Sequence, residues 1–174
     1  MARLKLLEKD EVDPIAREIY EKAEASSGKV LNLFKVLAHS PKIVRDWNRL
    51  GTTLLYKGTL AADIRELAII RVGELAGSAY ELAAHRRIGL GTGLTQAQID
   101  DIAAWEESAN FSERERTVLK YTDELAQNIR ASEQTFADLQ SCFNPRDIVE
   151  LTVAIGYYGM VARTLESLDV DPEE

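Results

Sequence analysis

Helix signals run along the whole 174-residue chain, whereas strand signals are nearly absent. No segment sustains the apolar and polar alternation that a half-buried strand requires, and the glycines are spaced as helix terminators. A chain with this pattern has to bury its apolar residues between helices, because it has no sheet to pack them on. The sequence therefore predicts an all-α fold.

Helix starts are marked by two local devices. A capping side chain followed by proline marks three of them, and a capping box marks two more. The first group is Asp13 with Pro14, Ser40 with Pro41 and Asn144 with Pro145, and the second is Thr95 with Gln98 and Ser112 with Glu115.

Two long helices are predicted around Gly77, one from about Thr59 to Ala76 and one from Ser78 to about Leu90. The start of the first is echoed later in the chain. Either two related helical units or chance similarity between helix starts would explain the echo. The recurring residues are Asp63, Ile64, Glu66 and Leu67, which return in the same spacing as Asp147, Ile148, Glu150 and Leu151.

Length and composition set the domain organisation. With 174 residues, 45% of them hydrophobic, the chain can bury a core as one domain. We predict a single all-helical domain over residues 1–174, with a core motif unit over about 59–104 and C-terminal helices over about 112–168.

Charge and cysteine content exclude several function classes. A net charge of -8 and a pI near 4.9 disfavour binding to nucleic acid or to anionic membranes. The sequence has no apolar run of about eighteen residues, so we expect a soluble cytoplasmic protein. The lone Cys142 permits no internal disulfide, and we expect it to be buried or half-buried. The two histidines, His39 and His85, lie far apart, so no metal site is predicted.

The best candidate for chemistry is a spaced set of polar residues. Glu66 is followed after eleven residues by Ser78, then by Glu81 and His85. Residues four apart lie one helical turn from each other, so Glu81 is expected to hydrogen-bond the imidazole of His85 and raise its basicity. The pair would then be poised for proton transfer.

At these residues the sequence resembles the carboxymuconolactone decarboxylase and alkylhydroperoxidase D-like family. The peroxidase branch of that family has two cysteines, C-x-x-C, where this chain has Ser78 and Glu81. The segments from Arg65 to Ile99 and from Ser112 to Leu168 are also similar to the family. The resemblance implies an alkylhydroperoxidase D-like helical bundle, and a homo-oligomer of three or six subunits.

Because the two thiols are absent, the sequence does not predict a dithiol peroxidase. A dithiol peroxidase needs one thiolate to attack peroxide and a second thiol to resolve the intermediate, which serine and glutamate cannot replace. The resemblance instead implies the decarboxylase branch, with Glu66, Glu81 and His85 as acid and base residues and with no cofactor. A peroxidase that uses Cys142 alone is the least supported option.

Each candidate residue also has a purely structural interpretation. Ser78 and Glu81 fit a capping box, and His85 could simply lie near a helix C-terminus. Glu66 could pair with a neighbouring arginine such as Arg65 or Arg71. These alternatives stay open at the level of the sequence.

Three further side chains are candidates for substrate binding. Ser78 and Tyr80 could hydrogen-bond a ligand, and Arg71 could bind a substrate carboxylate bidentately or else pair with Glu74 or Glu66. Trp47, Tyr157 and Tyr158 could line a pocket for a ring or belong to the core.

Two functions from different classes therefore remain. The first is a cofactor-independent lyase that uses acid and base residues on a small anionic ring compound or lactone. The second is a helical oligomer that binds a small molecule without catalysis. Both need a small-molecule ligand, and neither needs nucleic acid or a membrane.

Overall fold

A computed structural model describes residues 2–173, and all regular structure within them is helical. The predicted all-α fold is confirmed. A short 3-10 helix, Ile102–Ala104, follows the sixth helix. The α-helices are α1 (Pro14–Ser27), α2 (Asn32–Leu37), α3 (Pro41–Tyr56), α4 (Ala62–Ala76), α5 (Ala79–Thr92), α6 (Gln96–Asp101), α7 (Glu113–Asn128), α8 (Glu133–Cys142) and α9 (Pro145–Leu168).

The chain divides into two compact units. One contains the N-terminal part up to Lys57 together with the segment that begins at Thr164. The other is Gly58–Arg163, which holds α4 to α8 and most of α9. Its first residue lies next to the predicted start of the core motif unit, while the single domain over 1–174 stays a prediction.

Helices α1 to α3 build the first unit around a small apolar core. Asp13 caps α1 by accepting a hydrogen bond from the amide of Ile15 at 2.9 Å, as the sequence predicts. The same helix ends at Gly28, whose positive φ of 77° favours glycine. The buried core residues of the first unit are Val12, Ala16, Ile19, Tyr20, Ala38 and Val44.

In the second unit α4 packs against both α5 and α7. Every residue of α4 from Ile64 to Ile70 is buried, so the helix is covered on all sides over these two turns. Glycine allows α5 to come close: a Cβ atom at Gly73 would lie 3.2 Å from Cδ2 of Leu82 and 3.4 Å from Cβ of Glu81. This close approach brings the polar residues of α4 next to those of α5.

Most of the predicted caps are present. Thr95 with Gln98 and Ser112 with Glu115 both form capping boxes. Ser40 makes no capping hydrogen bond, although Pro41 begins α3 as predicted.

Two features of the helix boundaries were not predicted. Helix α8 was missed, and it is capped by Ser132, whose hydroxyl accepts from the amide of Thr135. Helix α4 begins at Ala62 rather than near Thr59, because the amides of Thr59 and Leu60 donate to Glu150 at 2.7 and 2.8 Å.

Helix α9 is the most apolar long helix among residues 2–173. By length and composition alone it is the one described helix that could cross a membrane, and 44% of its apolar window is buried inside the molecule. Buried core helices of globular proteins have the same composition. Both echoed segments lie in the first turns of long helices, α4 and α9, which agrees with either explanation of the echo.

Candidate acid–base site

Glu66 and His85 form a buried hydrogen-bonded pair between α4 and α5. Nδ1 of His85 lies 2.7 Å from Oε2 of Glu66, and the residues are 6% and 0% exposed. An ionised carboxylate only accepts hydrogen bonds, so Nδ1 carries the donated proton. In a neutral imidazole Nε2 then carries the lone pair.

Glu81 lies on the other side of the ring. Its Oε2 is 3.6 Å from Nε2 of His85, which is too far for a direct hydrogen bond. The predicted hydrogen bond between Glu81 and His85 is therefore wrong, because the imidazole turns Nδ1 toward Glu66 on the neighbouring helix. The three predicted catalytic residues are nevertheless brought together.

Burial perturbs the acidity of Glu81. Desolvation raises the pKa of this carboxyl from 4.5 to about 7, the nearby His85 lowers it, and the Glu66 carboxylate raises it. Glu81 is therefore populated in both its protonated and its ionised form near neutral pH.

Ser78 precedes α5 without capping it. Its side chain makes no capping hydrogen bond, so the predicted capping box with Glu81 is wrong. The amide that Glu81 would cap already donates to the carbonyl of Gly73 at 3.0 Å, across the turn at Gly77, whose φ is 64°. Ser78 is fully buried, and its hydroxyl has no hydrogen-bond partner.

Arg65 supplies a cation on the α4 side of the pair. Its Nε donates to Oε1 of Glu66 at 3.4 Å, and the residue is buried. Glu66 is thus both an ion-pair partner of Arg65, as the structural interpretation predicts, and a hydrogen-bond partner of His85. The two contacts use different oxygens of one carboxylate.

Arg71 is engaged elsewhere, which corrects its prediction as a substrate ligand. Its guanidinium binds Asp123 bidentately at 2.6 and 2.9 Å and donates to the carbonyls of Ile102 and Ala103. Asp123 also accepts from Trp105. The donors that a substrate carboxylate would need are occupied by this network, and the expected pairing with Glu74 or Glu66 is replaced by Asp123.

Aromatic residues of α9 complete the surroundings of His85. The ring of Tyr158 packs edge-on against the imidazole with centroids 4.7 Å apart, and Tyr157 contacts Tyr158 at 5.3 Å. Burial raises the pKa of Tyr158 well above 10, and the carboxylates of Glu81 and Glu66 raise it further, so its hydroxyl stays protonated. The sequence left open whether Tyr158 lines a pocket or belongs to the core, and its contact with His85 was not predicted.

The remaining candidates have separate positions. Tyr80 is buried on α5 next to Glu81, and its role in binding stays a prediction. Trp47 belongs to the first unit. Cys142 ends α8 and is exposed, so its predicted burial is wrong. Within residues 2–173, no three histidine, cysteine or acidic side chains are arranged to hold a metal ion.

Comparison with known proteins shows which family this chain is similar to. Residues 41–124 match the model of the carboxymuconolactone decarboxylase family. No protein with a curated function matches the chain significantly. The family resemblance that the sequence indicates is confirmed.

Solved structures share the fold over nearly the whole chain. A peroxidase-related protein from Ralstonia eutropha with an alkylhydroperoxidase AhpD core is 20% identical, covers 99% of this chain and 93% of its own, and has a TM-score of 0.88. A peroxidase-related protein from Silicibacter sp. is 19% identical, covers 99% of this chain and 92% of its own, and has a TM-score of 0.83. The debrominase Bmp8, solved as a cysteine-to-alanine variant in complex with 2,3,4-tribromopyrrole, is 15% identical. It covers 99% of this chain and 94% of its own, and has a TM-score of 0.82. These identities show the fold alone.

Proposed function

We propose, on the premise that the chain belongs to the carboxymuconolactone decarboxylase family over residues 41–124, that it is a cofactor-independent lyase acting on a small ring compound or lactone. The observation that carries the proposal is the buried series Glu66, His85 and Glu81. One carboxylate fixes the imidazole at 2.7 Å, and the other faces Nε2 at 3.6 Å. Such a series can accept a proton at one position and return it at another.

Proton transfer is the step that these residues suit. In a decarboxylation the bond to the carboxylate breaks, carbon dioxide leaves, and the electron pair passes to the conjugated ring as an enolate. A proton from Glu81 or from the imidazolium of His85 then completes the ring carbon. Glu66 stabilises that imidazolium, as a buried carboxylate does for a catalytic histidine.

The acidity of Glu81 supports this role. Acid–base catalysis is most efficient when the pKa of the group lies near the working pH, and burial brings Glu81 to about 7. Both forms of the carboxyl are then available in the same cycle. A surface glutamate would be ionised and a poor proton donor at that pH.

The charge of the site favours an uncharged group next to Glu66 and Glu81, so the carboxylate that leaves as carbon dioxide would have to lie away from them. Arg71 is bound to Asp123, Arg65 is bound to Glu66, and Glu66 and Glu81 both bring negative charge. A lactone fits this environment better than a ring carboxylate does. The complex of the debrominase with 2,3,4-tribromopyrrole supports a small ring as ligand on this fold.

Exchange of carbon-bound hydrogen in D2O tests the proposal. We expect the wild-type protein to exchange a ring proton of muconolactone-type lactones, and His85→Asn to slow this at least 100-fold, as removal of a general base does. NMR of the lactone measures the exchange, and NMR together with carbon dioxide release measures turnover of the carboxylated analogues. His39→Asn is the matched control, because His39 is exposed and lies in the other unit.

A second candidate function is ligand binding without catalysis. The buried oxygens of Ser78 and Glu81 that lack a partner favour it, because a bound molecule could satisfy them. The same experiment separates the two functions. Equal exchange by wild type and His85→Asn, with retained lactone binding, would support the binding protein and exclude the lyase.

We also propose that the chain self-associates through α9. Val149, Val153 and Met160 are 60%, 40% and 41% exposed and lie on one stripe of the helix together with Gly156. An exposed apolar stripe of this kind suits a second copy of the same surface. The family resemblance implies three or six subunits.

A double substitution tests this stripe. We expect Val149→Glu with Val153→Glu to reduce the number of subunits in the oligomer, because the added glutamates of neighbouring copies would repel each other across the contact. Sedimentation velocity measures the mass. Ile129→Glu is the control, since Ile129 is 88% exposed outside the stripe. An oligomer unchanged by the double substitution would place the interface elsewhere.

A further inference from the structure

Two buried oxygens at the start of α5 have no hydrogen-bond partner, the hydroxyl of Ser78, which precedes the helix, and Oε2 of Glu81 in its first turn. The residues are 0% and 4% exposed, so bulk water does not compensate for the missing bonds. Buried polar atoms in folded proteins are nearly always paired, and an exception points to strain, a catalytic role, or a bound water, ion or ligand. These two atoms therefore mark a place that something else completes.

The hydrogen-bond donors and acceptors around His85 determine which kind of group could bind beside these two oxygens. Nδ1 donates to Glu66, so the neutral ring faces Glu81 with the lone pair of Nε2 across 3.6 Å. Ionised Glu81 also offers only lone pairs, and protonated Glu81 is a donor that does not reach Nε2 directly. When Glu81 is ionised, a group beside this gap must donate a hydrogen bond. When Glu81 is protonated, the group must accept a hydrogen bond from Glu81 while donating one to His85.

A hydroxyl group meets both conditions, because it donates one hydrogen bond and accepts others. A ring N–H only donates, and a carboxylate only accepts. A carboxylate would also lie next to Glu81 and Glu66, and the buried cation Arg65 is already bound to Glu66. The ring of Tyr158 also packs against the imidazole and offers an aromatic surface to a bound ring.

We propose that the substrate is a small ring that carries a hydroxyl group, of the phenol or enol type, and that this hydroxyl binds between Glu81 and His85 with the Ser78 hydroxyl as a further partner. The inference rests on the proposed acid–base function and names its substrate class. It assigns Ser78 and Glu81 to binding the hydroxyl. His85 is the base that receives its proton.

Three simple probes that differ only at the substituent test the proposal. Phenol, anisole and benzoate are titrated into the wild-type protein while the imidazole signals of His85 are followed by NMR. We expect phenol to bind at least tenfold more tightly than anisole, which lacks the donor, and than benzoate, which adds negative charge. Equal binding of phenol and anisole, tighter binding of benzoate, or no binding of any probe would overturn the proposal.

Variants of the two unpartnered residues make the test specific. We expect Glu81→Leu to weaken phenol binding at least tenfold, Glu81→Gln to restore part of it, and Ser78→Ala to weaken it about threefold. Glu113→Leu is the matched control, because Glu113 is exposed on α7. If Glu81→Leu does not fold, Ser78→Ala and Glu81→Gln decide the outcome. Phenol affinity unchanged in both would overturn the proposal.

The outcome can be separated from that of the proposed function. Phenol binding that depends on Glu81, without any proton exchange on lactones, would reject the lyase and keep the hydroxyl site. Proton exchange that depends on His85, without a preference for phenol over anisole, would keep the lyase and reject the hydroxyl site.

Discussion

Glu66→Gln is expected to slow proton transfer by the protein about 10³- to 10⁴-fold, the loss seen when a buried carboxylate that orients a catalytic histidine is replaced by its amide. The carboxylate accepts the Nδ1 proton of His85 at 2.7 Å and so leaves the lone pair on Nε2, toward Glu81. Glutamine can present its NH2 group instead, which favours the opposite tautomer. The lone pair of His85 would then lie on Nδ1, toward α4, and no longer on Nε2, toward Glu81.

Two measurements check this expectation. Exchange of a lactone proton in D2O gives the rate, and the nitrogen chemical shifts of His85 give the tautomer. Glu74→Gln is a suitable control, since Glu74 lies on the same helix and pairs with Arg86. A loss below tenfold with an unchanged tautomer would show that Glu66 does not orient the base.

Local devices explain why most helix boundaries were predictable. The capping boxes at Thr95 and Ser112 and the cap at Asp13 are formed by residues within three positions of each other. Their geometry depends on the backbone nearby and on little else. The same reasoning failed at Ser78, because a carbonyl of the preceding helix, from Gly73, already binds the amide that the capping box would use.

The proximity of Glu66, Glu81 and His85 was predictable from the sequence, but the hydrogen bonds among them were not. Spacing and family resemblance identified Glu66, Glu81 and His85, which do come together. Which acid binds the imidazole depends on the packing of α4 against α5, and that packing has no local signal. Distance along the chain likewise hid the contact of Tyr158 with His85 and the pairing of Arg71 with Asp123.

The chain shares its fold with peroxidase-related proteins but lacks the C-x-x-C pair of the family's peroxidase branch. The fold matches that of a peroxidase-related protein with a TM-score of 0.88, while the sequence resemblance aligns Ser78 and Glu81 with the two cysteines of the C-x-x-C motif. A thiol pair stores two electrons, whereas a buried carboxyl stores one proton. The acid–base role proposed for Glu81 would therefore differ in kind from the redox role of a thiol pair.

Glu81→Gln should make the stability of the protein less dependent on pH. The pKa of Glu81 is about 7 in the folded protein and near 4.5 in the unfolded chain, so the folded state holds the extra proton between these values. Stability is therefore lost as the pH rises through this window, because the unfolded chain releases the proton more easily. Glutamine does not titrate, and the variant should gain about 3 kcal/mol over the wild type between pH 4 and pH 8.

Denaturant unfolding at a series of pH values and one fixed protein concentration measures this difference, since self-association would otherwise contribute to it. Glu113→Gln is the control, because an exposed carboxyl on α7 should leave the pH profile of the wild type unchanged. Parallel profiles for wild type and Glu81→Gln would mean that the carboxyl at position 81 is as well solvated in the folded protein as in the unfolded chain. A buried proton reservoir next to His85 would then not exist, and the acid–base role of Glu81 would lose its physical basis.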